Sequence, residues 1–186
     1  MLQWLFGKGN RATRAEDCVW MSRAARLTGI RREVERVAGA GQSVLVVALA
    51  LTDFDELVGA LAQHQPLRCR DLFGGDALRH QLGRVGSVAV ALVGTLPADV
   101  EPGAGVRVEV LVCGRNEARV ADEAILGFAD RLGARARVTF HLSLDDALLQ
   151  RQTESIKPIL GRLGLTEDEA ISHPMVTRAI ARIQSK

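Results

Sequence analysis

Tyrosine is absent from this 186-residue chain, and Phe and Trp bring the aromatic share to only 4%. So few rings leave little on which bases could stack, which argues against single-stranded nucleic acid as a ligand. Neither sign of charge is in surplus: 24 Lys and Arg stand against 22 Asp and Glu, a net charge of +2. Nucleic-acid binding usually needs a concentrated basic face. Cysteine is scarce as well. Cys18, Cys69 and Cys113 form no C-x-x-C pair, so no structural zinc site is expected. Scattered thiols in odd number fit small core residues in a reducing compartment. No apolar run approaches the ~20 residues of a membrane span, and the longest, Val44 to Leu51, is the size of a strand. The N-terminus lacks an apolar stretch long enough for a secretory signal. A cytoplasmic location is expected.

Nor is there a G-x-x-x-x-G-K-[ST] loop, whose backbone amides and lysine would hold nucleotide phosphates. The nearest glycine cluster, Gly39-Ala40-Gly41, follows a predicted helix and precedes a predicted strand. Phosphate binding at a helix start needs the opposite order.

What is present is an alternation of helical and strand-like segments. Residues 1–14 form a tail in which Leu2, Trp4, Leu5 and Phe6 precede Lys8, Arg11 and Arg14. An apolar patch followed by positive charge suits an anionic membrane surface; docking of Trp4 and Phe6 onto the chain's own domain is the simpler reading. From Ala15 to Val37 apolar residues recur at helical spacing. Five strands are predicted, at Ser43–Leu49, Leu67–Leu72, Ser87–Val93, Val106–Val112 and Arg137–Leu142. Ser43–Leu49 is near-continuously aliphatic, typical of a strand covered on both faces, and Ser87–Val93 is similar, while Leu67–Leu72 is less regular. Thr52 and Asp53 offer an N-cap for the helix after the first strand, and Asp76 one for a short helix over 77–82. Asn116 to Leu132 reads as a helix closed by Gly133. From Asp145 onward helices are expected at about 145–151, 153–163 and 174–184. This order implies a mostly parallel five-stranded α/β sheet over residues 15–144, flanked by helices, with a helical extension over 145–186.

His141, Ser143 and Asp145 crowd one strand end and invite comparison with a catalytic triad. Alternation puts His141 and Ser143 on one face, but no G-x-S-x-G elbow orients a nucleophile, so packing is the better account of His141. Asp145-Asp146 suits a helix cap better than a metal site. No metal or cofactor is expected.

The last third carries the most specific pattern. Phe140-His141-Leu142-Ser143-Leu144-Asp145-Asp146, Leu163-Gly164-Leu165, Glu169-Ala170-Ile171 and His173-Pro174-Met175-Val176-Thr177-Arg178 resemble the end of the second motor domain of the protein-export ATPase SecA. That family reads R-F-Y-L-S-L-E-D, then K-L-G-M and E-H-P-M-V-T-R. Upstream, Gly41-Gln42-Ser43-Val44-Leu45-Val46-Val47 and Thr52-Asp53-Phe54-Asp55-Glu56-Leu57 follow the family's K-G-Q-P-V-L-V-G-T-x-S-I-E-x-S-E. The resemblance covers roughly 15–186 and implies a RecA-like fold.

It also locates the residues that ATP chemistry would need. The family's G-R-G coupling loop is replaced here by Val93-Gly94-Thr95-Leu96-Pro97. In the following motif Arg115, Glu117, Arg119, Asp122, Gly127, Arg131 and Gly133 keep family positions. The first finger arginine, however, has become Phe128, and the glycine before the second has become Asp130. An arginine finger accelerates phosphoryl transfer by about 10³–10⁵-fold, which Phe128 cannot do. Asp130 would also oppose a phosphate at Arg131.

The resemblance thus implies a degenerate domain without independent ATP hydrolysis. Its vestigial nucleotide-binding residues would be Gly94, Thr95, Arg119, Gly127 and Arg131. An interaction role follows, with Trp4, Phe6, Met175 and Ile180 as candidate surface residues. The partner would be a protein: a motor, a translocon component or a chaperone client. Residues 1–14 would add a weak peripheral contact with the inner face of the membrane. Two other readings stay open, a half-motor supplying Arg119 and Arg131 in trans to another RecA-like domain and a helicase-like nucleic-acid module. For the terminal helix, folding back onto the core is expected over an exposed stripe, because a short isolated helix is marginal in water.

Overall fold

A computed structural model describes residues 11–100, 105–150 and 169–184. Trp4, Phe6 and the helix expected at 153–163 lie outside the described residues.

The five predicted strands all form. They are β3 (Ser43–Ala48), β4 (Leu67–Cys69), β5 (Val88–Leu92), β6 (Val108–Cys113) and β7 (Ala136–Ser143). They pair in parallel in the order β4-β5-β3-β6-β7. All six residues of β3 and of β6 are buried, as strands covered on both faces should be.

The sheet is wider than five strands. Thr13–Arg14 (β1) and Cys18–Trp20 (β2) both run parallel to β7 along its outer edge, and Ile171–Ser172 (β8) pairs antiparallel with β2. The helix expected from Ala15 therefore begins only at Arg23 (α1, Arg23–Gly39), behind Ser22, whose hydroxyl accepts the Ala25 amide. The apolar spacing that suggested a longer helix starts at Val19 and Trp20. Both are buried, but by strand pairing at β7's open edge.

Side-chain alternation sorts the core into two layers. Val44, Val46, Ala48, Leu111 and Cys113 pack under α1 and α2 (Leu51–Ala60). Leu45, Val47, Val110, Val112 and Phe140 face α3 (Gly75–Leu82) and α4 (Arg119–Leu132). The expected cap of α2 is corrected: Ala50 holds the N-cap position without a side-chain bond, and Asp53 sits in the first turn. The last helix, α5 (Pro174–Ile183), starts behind His173, whose Nδ1 accepts the Met175 amide. Ile180 is 2% exposed and belongs to the α4-side core. The helix therefore folds back, and Ile180 is not a surface residue.

Gly29 is where α1 meets β2. A Cβ built there would lie 2.1 Å from the Trp20 ring, and that ring is held by a hydrogen bond from its Nε1 to His141 Nδ1 at 3.2 Å. Gly29→Ala is expected to lower stability by about 1–3 kcal/mol through overpacking. Alanine's helix-propensity advantage of roughly 1 kcal/mol would not rescue it. Urea unfolding measures this, and an unchanged midpoint would mean that the ring yields freely.

Candidate functional site at the carboxyl ends of the strands

In open parallel sheets, ligands ordinarily bind beyond the carboxyl ends of the strands. Here β5 ends at Leu92 and runs into a short 3₁₀ turn, Val93–Thr95. Nothing lies within 4 Å of a Cβ placed on Gly94, so packing does not demand glycine there. Thr95 is buried, with its hydroxyl 2.8 Å from the Leu92 carbonyl and 3.1 Å from that of Cys69. It ties the ends of β4 and β5 together and presents no donor outward.

The remaining sequence candidates lie along α4. Arg119 is its exposed first residue, and Arg131 is twelve positions later near its end, about 18 Å along the axis. Gly127 is half-buried, and a Cβ placed on it would lie 3.8 Å from Arg131 Nη1. Arg131 donates to the Pro97 carbonyl at 3.4 Å, and its guanidinium lies 5.9 Å from the Phe128 ring. Phe128 is fully buried beneath α4. The structure does not bring Gly94, Thr95, Arg119, Gly127 and Arg131 to one point. Asp130 serves the N-terminal segment: it accepts the Ala12 amide at 3.2 Å and pairs with Arg14 at 3.5 Å.

Gly94 borders an apolar groove of about 590 Å³ formed with Leu51, Leu72, Phe73, Leu92 and Val93. Leu72 is 78% and Phe73 94% exposed. Arg70 and Asp71 are its charged members. The end of the sheet that would cradle phosphate thus presents carbon, and apolar surface of this kind marks protein contact sites.

Beside it the strand ends are closed by ion pairs that sequence reading did not single out. Arg26, 3% exposed, reaches Asp146 Oδ1 at 2.6 Å and Asp53 Oδ1 at 3.1 Å. Arg23 joins Asp53 at 2.9 Å and Glu56 at 3.0 Å. Asp146 precedes a helical turn at 147–150, as a cap should, but its Oδ2 accepts the Ser143 amide. Burial pushes the Asp53 carboxyl up, opposed by Arg26 and then Arg23.

A second buried cluster consumes two of the family-position residues. Arg115 donates to Asp17 Oδ1 at 2.7 Å and Asp122 Oδ2 at 3.2 Å, and lies 4.0 Å over the Phe140 ring. Gln184, just past α5, donates to Asp122 at 2.7 Å and to the Asn116 carbonyl at 2.7 Å. Asp17 is fully buried, and burial raises its carboxyl despite Arg115. Its part was hidden because it sits in the stretch that reads as helix.

His141 and Ser143 share a face but form no triad. His141 is 3% exposed and stacks on Trp20, with ring centroids 6.1 Å apart; burial pushes its pKa down to about 4. The Ser143 hydroxyl accepts the Asp145 amide at 2.9 Å. Burial pushes Cys69 up to about 11 and Cys113 up to about 12, so neither is a thiolate at neutral pH. Among the described residues no group of three His, Cys, Asp or Glu could hold a metal ion, and no helix is long and apolar enough to cross a membrane. Met175 is 67% exposed.

The chain is similar over nearly its whole length to SecA. It is 28% identical over 180 residues to the protein translocase subunit SecA of Desulfotalea psychrophila, aligning 91% of this chain with 21% of that protein. It is 29% identical to SecA of Clostridium beijerinckii, with 91% and 21% covered, and 29% identical to SecA of Chlorobium limicola, with 92% and 18% covered. The chain thus spans about a fifth of the length of these relatives. No protein-family model matches it. Among solved structures, the C-terminal part of the Fun30 ATPase domain aligns with 86% of this chain and 51% of its own at 10% identity and a TM-score of 0.47, a likeness too slight to argue from.

Proposed function

We propose that this chain is a SecA-like domain that serves protein export by binding protein, without hydrolysing ATP itself. One observation carries the reading. At the position that the resemblance gives to a phosphate-gripping arginine, Phe128 is fully buried in the core. No change of side-chain rotamer brings a benzyl group at that depth to a triphosphate. Arg115 is engaged by Asp17 and Asp122 within the fold. The groove of Leu51, Leu72 and Phe73 supplies the surface such a domain would use. Its partner would be a motor, a translocon component or a chaperone client, met in the cytoplasm or at the inner face of the membrane.

Two measurements test this together. Purified protein with Mg-ATP should release phosphate no faster than buffer. A photo-crosslinker placed at Phe73 should label purified SecA or an unfolded preprotein, and Phe73→Asp should abolish co-purification with that partner. The substitution should leave stability within about 0.5 kcal/mol, as is usual for exposed sites. Steady phosphate release that is lost on Arg131→Ala would overturn the proposal.

A second reading, the half-motor, has Arg119 in its favour. It is exposed at the start of α4 and has no ion-pair partner among the described residues. It requires ATP binding that appears only with a second RecA-like domain and is lost on Arg119→Ala.

A further inference from the structure

We propose that the opposite, amino-terminal end of the sheet carries an anion site for a small phosphate-bearing ligand, held by Arg107, Arg135 and Arg137. This site is separate from the carboxyl-end groove and does not depend on its function. The three arginines line a cavity of about 490 Å³ together with Thr13, Gln42 and Glu109. That size is within the range of small-molecule sites.

The sheet's register explains why guanidiniums gather there. Val108 of β6 pairs with Ala136 of β7, and Glu109 with Arg137. One step before the first pair, Arg107 comes level with Arg135. Like charges opposed across neighbouring strands destabilise each other. All three arginines are exposed, and Arg107 and Arg135 have no ion-pair partner among the described residues. Among those residues Glu109 is the one carboxylate in the wall. It is 5% exposed and already engaged by Arg137 at 3.3 Å and Thr139 at 3.4 Å.

Arg84, exposed at the turn before β5, adds a further positive charge to this end; its carbonyl accepts the Ser43 hydroxyl at the start of β3. A net charge of only +2 therefore conceals a local excess. The carbonyl end of α4 also points this way, at Gly133, and costs an anion part of the attraction. Arg135, two residues beyond that end, offsets it. Planar guanidinium forks match phosphate oxygens in pairs, and a bound phosphate would remove the repulsion between Arg107 and Arg135.

Titration calorimetry with inorganic pyrophosphate at low salt tests the site, and flotation with phosphatidylglycerol or phosphatidylcholine vesicles separates a soluble phosphate from a lipid headgroup. Saturable binding of either phosphate source is expected. The Arg107→Ala/Arg135→Ala double variant should weaken it roughly tenfold or more while its circular dichroism and melting curve remain cooperative. Arg68→Ala, which removes an exposed arginine of β4 at the far edge of the sheet, should bind as the parent does. The double lysine variant, which keeps the charge but loses the fork, should fall between. No binding to either source, binding unchanged by the double variant, an equal loss with Arg68→Ala, or arginine-dependent binding to single-stranded RNA alone would overturn the proposal.

Discussion

Arg26→Ala is expected to lower the unfolding free energy by about 3–5 kcal/mol at neutral pH, the range seen when one partner of a buried ion pair is removed. The guanidinium is 3% exposed and serves two carboxylates, Asp146 and Asp53, whose side chains are 19% and 15% exposed. Truncation leaves both in a site built for a cation. Asp53 keeps Arg23 on its outer side at 2.9 Å, while Asp146 keeps only neutral donors such as the Ser143 amide among the contacts described. The loss should depend on pH in a defined direction. Burial already raises the Asp53 carboxyl and Arg26 holds it down, so removing Arg26 raises it further. A group whose folded pKa lies above its unfolded value gives the native state a proton-linked gain as pH falls. The deficit should therefore narrow as the pH is lowered from 7 toward the raised Asp53 pKa. The triple variant Arg26→Met/Asp53→Asn/Asp146→Asn, which removes all three charges, should recover most of the loss, since whole buried pairs are commonly replaceable. Urea unfolding of the three proteins checks this. A single variant within 1 kcal/mol of the parent would show that the cluster contributes little.

The second large effect is an acid sensitivity located at His141. Burial holds its pKa at about 4, against an ordinary value of 6.5. The unfolded chain therefore binds a proton below pH 6.5 that the folded chain refuses until about pH 4. The contribution is complete above the upper value and lost progressively as pH falls to the lower one, by about 3 kcal/mol in all. The structural cause is specific. Nδ1 accepts the Trp20 indole N–H, which leaves the proton on Nε2, and Nε2 is buried without a partner among the described residues. Charging the ring would put the added proton on Nδ1, turning the acceptor of the Trp20 N–H into a donor that faces a donor, in a buried site. His141→Gln can still accept the indole bond but does not titrate. The stability difference between parent and variant should shrink by about 3 kcal/mol from pH 7 to pH 4. Using the difference matters because Asp17, Asp53 and Glu109 are shifted upward by burial and act with the opposite sign in both proteins. Parallel curves would place the acid sensitivity elsewhere.

Different parts of the molecule were legible to different degrees. Strands β3 and β5 are readable because each is a short aliphatic run flanked by turn residues, and burial on both faces leaves such runs no polar alternation, whereas β4, Leu-Arg-Cys, is less regular. The closure of α4 at Gly133 is readable because a positive φ, here 77°, favours glycine. The start of α1 is not. Cys18-Val19-Trp20 suits a strand or a buried helix face equally well, and the open edge of β7 decides between them. The groove at Phe73 was also hidden. Leu72 reads as the end of a strand, whereas β4 stops at Cys69 and a 3₁₀ turn carries Leu72 and Phe73 outward.

The chain by itself determined the alternation of helices and strands, the SecA-like motifs and the lack of a phosphate-loop lysine, because these depend on residue type and short-range spacing. The tertiary structure alone decided which charges meet. Arg26 lies 27 positions from Asp53 and 120 from Asp146 in sequence, and Arg107 comes level with Arg135 only through the register of two parallel strands. Electrostatic interaction falls off with distance in space, and a parallel crossover places residues far apart in the chain at the same end of the sheet. Phe128 shows both levels at once: its identity removes a guanidinium, and its burial assigns the ring to the core.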